Sequence, residues 1–369
     1  MSNNQYIEKK NKLLPWSEKY RPSDINNIIY HEKITKAIMS YMDYKKLPHL
    51  LFYGPPGTGK TSSIIAIAKH YYKEDFSNMI LVLNASEERG IETVRNRIKQ
   101  FVTTIGLYDD PDTPPFKLII LDEIDAMTED AQAILRKVVE KYVNNVRFCF
   151  ICNYLKKINP AIQSRCIIFR FKPIPYKNMY DFIITICERE NIKITLNAIN
   201  LVIKRCNGDM RKLLNILQSI YMYMNSKTND NKKENSNKNI VLESENHLSE
   251  DIEINYTIIN ESSVSKILSC PTDKHIKNLI NFLQNNNIKN SHNYLIKLVN
   301  THGISLVELI ICIYDYFMDC IINNNCTIIK YPLEKCVKII KNMSFINENL
   351  TYCNNDNIQL VSFLSIFYL

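Results

Sequence analysis

Five short apolar runs stand out between residues 49 and 171: HLLFY (49–53), MILVL (79–83), KLIIL (117–121), RFCFI (147–151) and CIIFRF (166–171). Each has the length of a strand and too little polar alternation for a sheet wetted on one face, which predicts strands buried on both sides. Amphipathic stretches separate them. Ile91, Val94, Ile98, Val102 and Ile105 recur at helical spacing and leave Glu92, Arg95 and Lys99 on an outer face. Strands alternating with helices in this way predict an α/β module, a parallel sheet with helices on both faces.

Proline marks where that module ends. Eleven of the 13 prolines lie at or before Pro175, and Pro173-Ile174-Pro175 forms a stiff extended link. Beyond it the pattern is helical over 177–189, 196–206 and 209–224, the last with Asp209 as its cap. NSKTNDNKKENSNKN then holds six asparagines in fifteen residues. Such a stretch has too little apolar surface to repay the entropy of ordering. The expected organisation is a core module at 1–173, a helical lid at 174–224, a disordered insertion at 225–262 and an all-α domain at 263–369. The apolar tail VSFLSIFYL reads as a core helix.

Composition narrows the class. With 46% hydrophobic and 23% charged residues, the chain is neither wholly disordered nor a collagen or coiled-coil rod. No uninterrupted apolar run reaches the ~18 residues of a membrane span. The opening MSNNQYIEKKNK lacks the apolar stretch of a secretory leader, so a soluble intracellular protein is expected. Cys149 and Cys152 form a C-x-x-C with no second pair or paired histidines behind it. A closed zinc site needs four ligands, so reduced core thiols are expected instead. Residues 225–262 carry 4 lysines and 8 acids, and subtracting them from the chain's 46 basic and 38 acidic residues leaves 42 and 30. A folded portion that basic suits a polyanionic partner.

The chemistry starts at Gly54-Pro55-Pro56-Gly57-Thr58-Gly59-Lys60-Thr61, between the strand HLLFY and the helix TSSIIAIAKH. This is the spacing and setting of a phosphate loop. Backbone N–H groups curl around a β-phosphate and the helix N-terminus adds positive potential. Lys60 is placed to reach the β- and γ-phosphates, and the Thr61 hydroxyl to ligate magnesium. The strand KLIIL ends in Asp122 and Glu123, an acid to hold magnesium and an acid to activate the attacking water. Together they predict a hydrolase of ATP or GTP. Only 7 residues are glycine, and three of them sit in this loop.

LPWSEKYRP (14–22), LNASEERG (83–90), LDEID (121–125), AQAILRKVVEKY (131–142), FICNY (150–154), QSRC (163–166) and NGDMRKLLN (207–215), together with the phosphate loop, fall in a recognisable order. In this the chain resembles the small subunits of replication factor C, the eukaryotic sliding-clamp loader and an AAA+ ATPase. The resemblance is dense over 1–224 and extends as helical pattern over 263–369. It implies ATP and magnesium as cofactors, Asn153 as a first sensor of the attacking water or γ-phosphate, and Arg211 as a second sensor of the same nucleotide. It implies Arg165 as an arginine finger acting on a neighbouring subunit's ATP. Ser17, Arg21 and Ile29 fall where the family encloses adenine and ribose. Arg89, Arg95 and Lys157 match positions that track a DNA backbone without reading its sequence, and Ile105, Leu107 and Tyr108 lie where the clamp is contacted.

The implied partners are other replication factor C subunits in a five-membered ring, the sliding clamp and primer–template DNA, in the nucleus and away from membranes. Three positions depart from the family: Tyr30 stands for a glycine, Ile124 for the alanine of D-E-A-D, and Lys137 for the second arginine of L-R-R. Two other readings are a branch-migration type of AAA+ motor and a subunit that binds ATP without hydrolysing it.

Overall fold

The five apolar runs all form strands, β1 (His49–Tyr53), β2 (Ile80–Asn84), β3 (Lys117–Asp122), β4 (Val146–Cys152) and β5 (Cys166–Arg170). They pair in parallel in the order β2-β3-β4-β1-β5. The structure is a computed structural model that describes residues 14–86, 91–103, 114–236, 258–285, 287–323, 331–350, 352 and 356–368.

Successive strand residues point to opposite faces, so each run feeds two cores. On one face Leu50, Phe52, Leu118, Ile120, Cys149 and Ile151 pack with Ile38 and Met42 of α1 (Glu32–Asp43) and with Ile64, Ile67 and Tyr72 of α2 (Lys60–Tyr72). On the other, Leu51, Leu83, Ile119, Leu121, Phe148 and Phe150 meet Ile98 of α3 (Ile91–Thr103) and Leu135, Val138 and Val139 of α4 (Glu129–Lys141). Cys149 and Cys152 are free thiols within these cores. Burial pushes the Cys152 thiol up to about 12, so it stays protonated and unreactive at neutral pH. The two edge strands leave apolar residues exposed, Val82 on β2 and Ile167 and Ile168 on β5.

Register decides what meets at the C-terminal rim. Tyr53 of β1 lies opposite Cys152 of β4, and Leu121 of β3 opposite Phe150. Gly54, Asp122 and Asn153, the residues that follow or end these strands, therefore emerge side by side. A crevice at the carboxyl ends of parallel strands is the usual ligand site of such sheets.

The described residues fall into two compact units, the first within Met1–Asn191 and Val202–Gln218, the second within Ile192–Leu201 and Ser219–Leu369. Much of the expected lid falls in the same unit as the sheet, namely α5 (Tyr176–Arg189) and the ends of α6 (Leu196–Cys206) and α7 (Met210–Ser236) that lie in the first unit. The Ile174 N–H donates to Gly208 O across this join.

The segment expected to be disordered, 225–262, needs correction at both ends. α7 continues through residues 225–236, because a helix already nucleated adds a hydrogen bond for each further residue without paying nucleation again. At the other end β7 (Ile258–Ile259) pairs with β6 (Lys193–Ile194), and the Asn260 side chain caps α8 (Glu261–Ile267). Residues 237–257 lie outside the described residues.

In the second unit α9 (Asp273–Gln284), α10 (Ile288–His302), α11 (Leu306–Asn323), α12 (Leu333–Asn349) and α13 (Asp356–Tyr368) share one core. Phe363 and Phe367 of the apolar tail are fully buried in it. Gly303 ends α10 in the left-handed region with φ 63°, a conformation that costs glycine nothing. No helix among the described residues is long and apolar enough to cross a membrane.

At the foot of β1, His49 is buried and its Nδ1 accepts the Phe148 N–H at 3.1 Å. Burial, and then the nearby Arg147 charge, lowers its pKa to about 4. The unfolded chain binds this proton from pH ~6.5 downward. The folded chain resists it until about pH 4, so stability is complete above ~6.5 and falls between ~6.5 and ~4. Urea unfolding across that window is expected to show a loss of roughly 2–3 kcal/mol from this group. His49→Asn, which keeps an acceptor near Nδ1 but cannot titrate, is expected to reduce the slope.

Candidate functional site

Between β1 and α2 the chain turns through the Gly54–Thr61 loop, and Gly59 stands at the N-terminus of α2 with no side-chain cap. The first-turn N–H groups of α2 therefore have no acceptor within the helix and face the rim of the sheet. The Lys60 side chain folds back beneath the loop. Its Nζ donates to Gly54 O at 2.8 Å, to Pro55 O at 2.8 Å and to Asn153 Oδ1 at 2.9 Å. Lys60 is only 7% exposed. Burial pulls its pKa down, Asp122, Cys152 and Asp125 oppose that shift, and Arg211 adds to it.

Thr61 Oγ1 donates to Asp122 Oδ2 at 2.6 Å, and Asp122 Oδ1 accepts the Glu123 N–H at 2.9 Å. Glu123 sits in the left-handed region at φ 56°, a costly backbone for a residue with a Cβ. Most of the residues that sequence reasoning assigned to the nucleotide converge on one cavity of about 190 Å³. Ser17, Arg21, Ile29, Pro56, Gly57, Thr58, Gly59, Lys60, Thr61, Asp122, Glu123, Asn153 and Arg211 all line it. Gly54 and Pro55 contribute from behind, through the carbonyls that hold Lys60.

Part of the cavity lining is apolar and aromatic. Tyr20, Ile28, Ile29, Tyr30, Ile174, Phe182 and Leu214 make up that part, which suits a flat heterocycle. Arg21 reaches Ser62 Oγ through Nε at 3.4 Å and Glu18 through Nη1 at 3.2 Å. Tyr30, where the resembled family has glycine, packs with its ring tilted against His31 at 4.4 Å between centroids, and His31 is likewise tilted against Phe171 at 4.6 Å. The bulk of Tyr30 thus builds a wall of the cavity. Cations, a hydroxyl and carboxylate in contact and an apolar, aromatic part of the lining fit a nucleotide triphosphate with a hard divalent cation.

Other expected residues stand elsewhere. Arg165 does not reach the cavity. Its Nη2 pairs with Glu140 Oε1 at 2.6 Å and its Nη1 donates to Ala161 O. Arg136 holds the same carboxylate at 3.0 Å and keeps the Glu140 pKa below its ordinary value. Arg95 and Lys157 are exposed, and the Lys157 ammonium lies 5.3 Å from the Tyr154 ring centroid. Arg89, Ile105, Leu107 and Tyr108 lie outside the described residues.

Three contributing residues escaped the sequence reading. Asp125 Oδ2 accepts the N–H groups of Asn153 (3.1 Å) and Tyr154 (3.2 Å), so the last acid of LDEID fixes the backbone at the end of β4. Gln132, only 1% exposed, donates to Met127 O and Lys157 O and accepts from Asn159 N. The signal for it was a polar residue on the apolar face of α4. Glu140 stands four residues after Arg136 on the same helix, but its pairing with Arg165 carried no local signal.

Comparisons with known proteins agree on the kind of chain this is. Residues 50–174 match the ATPase family associated with various cellular activities (AAA), residues 177–234 the RFC1-like AAA+ ATPase lid domain, and residues 271–365 the replication factor C C-terminal domain. The chain is 38% identical to a probable replication factor C subunit 5 of Dictyostelium discoideum, over 98% of this chain and 93% of that one. It is 36% identical to replication factor C subunit 3 of Saccharomyces cerevisiae over 95% of this chain and 92% of that one. The human replication factor C subunit 5 is 35% identical over 96% of this chain and 91% of that one. Among solved structures, the RuvB Holliday junction branch migration motor of Thermotoga maritima is similar at 16% identity and a TM-score of 0.48, over 78% of this chain and 88% of that one.

Because a single Asp125 oxygen accepts both N–H groups, an amide can replace the carboxylate there and a methyl cannot. Asp125→Ala is expected to lower stability by about 1–3 kcal/mol, the cost of orphaning peptide donors, and Asp125→Asn by less than about 1. Urea midpoints of the two variants, at unchanged m-value, check this.

Proposed function

The chain belongs to the replication factor C family as an ATPase subunit of a clamp loader, and we propose that its cavity binds Mg-ATP to drive the loading of a sliding clamp onto primer–template DNA. The observation that carries this reading is the caged Lys60 ammonium beside the Thr61–Asp122 contact. Thr61 and Asp122 would hold the magnesium ion, which would supply neutralisation of phosphate charge when bound.

Lys60 and the first-turn N–H groups of α2 hold the phosphates. Glu123 accepts the proton of the attacking water and Asn153 orients it. Arg211 meets the γ-phosphate of the same nucleotide. Ser17, Arg21 and Ile29 enclose ribose and adenine. Arg165, remote from this cavity, serves a neighbour's ATP, where a guanidinium neutralises charge developing in the transition state.

Arg95, Lys157 and Arg89 neutralise DNA phosphates, with an affinity that falls steeply as salt rises, and DNA contact stimulates hydrolysis. Ile105, Leu107 and Tyr108 contact the clamp. Helices of the second unit join the chain to other replication factor C subunits in a ring of five, and the complex works in the nucleus. The full-length likeness to replication factor C subunits favours this assembly over a branch-migration motor.

In the complex assembled with its partner subunits, clamp and primed DNA, Lys60→Ala is expected to weaken ATP binding by this chain. Glu123→Gln is expected to leave ATP bound while slowing single-turnover hydrolysis about a hundredfold or more. If both variants leave DNA-stimulated hydrolysis and clamp loading unchanged, the chain binds ATP only as structural support. Arg165→Ala is expected to stop hydrolysis at the neighbouring site while this chain still binds its own ATP.

A further inference from the structure

The start of α7 meets the phosphate loop at Gly57. Asp209 Oδ1 accepts the backbone N–H groups of Arg211 at 2.8 Å and Lys212 at 3.0 Å, which caps the helix. The next residue, Met210, donates its own N–H to Gly57 O at 3.0 Å. The Asp209 carboxylate also lies directly over Gly57, so that a Cβ built there would stand 1.7 Å from Oδ1. Gly57 itself is left-handed at φ 68°. Two independent demands, a positive φ and an empty site for a carboxylate, therefore fall on one glycine.

These contacts join residues of the same compact unit. They also account for the place of Arg211, which lines the cavity two residues after Asp209. The cap fixes the direction of the first helical turn, and the seat on Gly57 fixes where that turn begins. The carboxylate is occupied by peptide N–H groups at a helix N-terminus, which offsets its repulsion of a nearby phosphate.

We propose that Asp209 is a positioning residue of the ATPase site: seated on Gly57, it aims Arg211 at the terminal phosphate and so makes the site prefer ATP over ADP. This rests on the reading of Arg211 as the group that meets the γ-phosphate. Asp209 is not among the residues that line the cavity. It acts through Arg211, so its loss is felt where a γ-phosphate is present and hardly where it is absent.

Fluorescent ATP and ADP analogues titrated into the full-length chain test this. Asp209→Ala is expected to weaken ATP binding about tenfold, within the range for loss of a helix cap, and ADP binding less than about threefold. Asp209→Asn, which keeps Oδ1, is expected to restore most of the preference. Arg211→Ala should show the same split, and Asp209→Ala added to it should weaken ATP no further, because the two act as one unit. Equal loss of both nucleotides in Asp209→Ala, no loss of either, or no rescue by Asp209→Asn overturns the inference. Arg211→Ala without the split sinks the reading of Arg211 itself, whereas a split there and none in Asp209→Ala sinks only the role given to Asp209. If Asp209→Ala does not fold, Asp209→Ser keeps a capping oxygen without a carboxylate over Gly57; it is then expected to lose the ATP preference, and a retained preference overturns the seat on Gly57.

Discussion

An ammonium group removed from water must find oxygens, and the arrangement around Lys60 follows from that requirement. Its three protons go to two carbonyls of the phosphate loop and to Asn153. The loop leaves β1 and Asn153 follows β4, so the lysine ties the rims of two paired strands together. Removing any acceptor leaves a buried charge short of a partner, which costs more than the lost bond was worth. The loop carbonyls, the Asn153 amide and the Asp125 carboxylate that fixes Asn153 therefore hold position as one unit. The cavity is built on strand ends rather than free loops because the sheet register places these groups within reach of one amine.

Legibility in the sequence followed the range of the interaction. The phosphate loop could be read directly, because Gly54 to Thr61 act on one another and on the helix they begin. The strands were legible too, since burial on both faces writes itself into every residue of a run such as KLIIL. Asn153, Arg165 and Arg211 needed the resemblance, because one polar residue at a strand or helix end has no local mark of its role. Asp125, Gln132 and Glu140 were missed for a related reason: each has a partner 20 or more residues away along the chain, Asn153, Lys157 and Arg165 in turn, and only folding brings these close. The asparagine-rich segment failed differently. Composition measures how much a stretch can bury, and it is silent on whether a helix beginning at Met210 runs on into that stretch.

The two arginines given separate duties are held in different ways. Arg211 rides on the first turn of a long helix whose start is pinned to the phosphate loop. Arg165 sits after a helical turn at the exposed edge of the sheet, paired with a carboxylate it shares with Arg136. A partly exposed ion pair of this kind is worth little in water and is easily exchanged. That difference suits the separate duties proposed for them, Arg211 in register with its own nucleotide and Arg165 free to leave a local partner and serve a neighbour.

Gln132 carries a consequence for how the chain responds to its surroundings. It fastens the carbonyl of Lys157 and the N–H of Asn159 with a neutral amide, and amides neither titrate nor gather counterions. Ionic strength will therefore change how strongly the exposed Lys157 attracts an anion without changing where Lys157 stands. Attraction is adjustable here while geometry is not, and a glutamate, isosteric but stripped of both donors, could not keep the two apart.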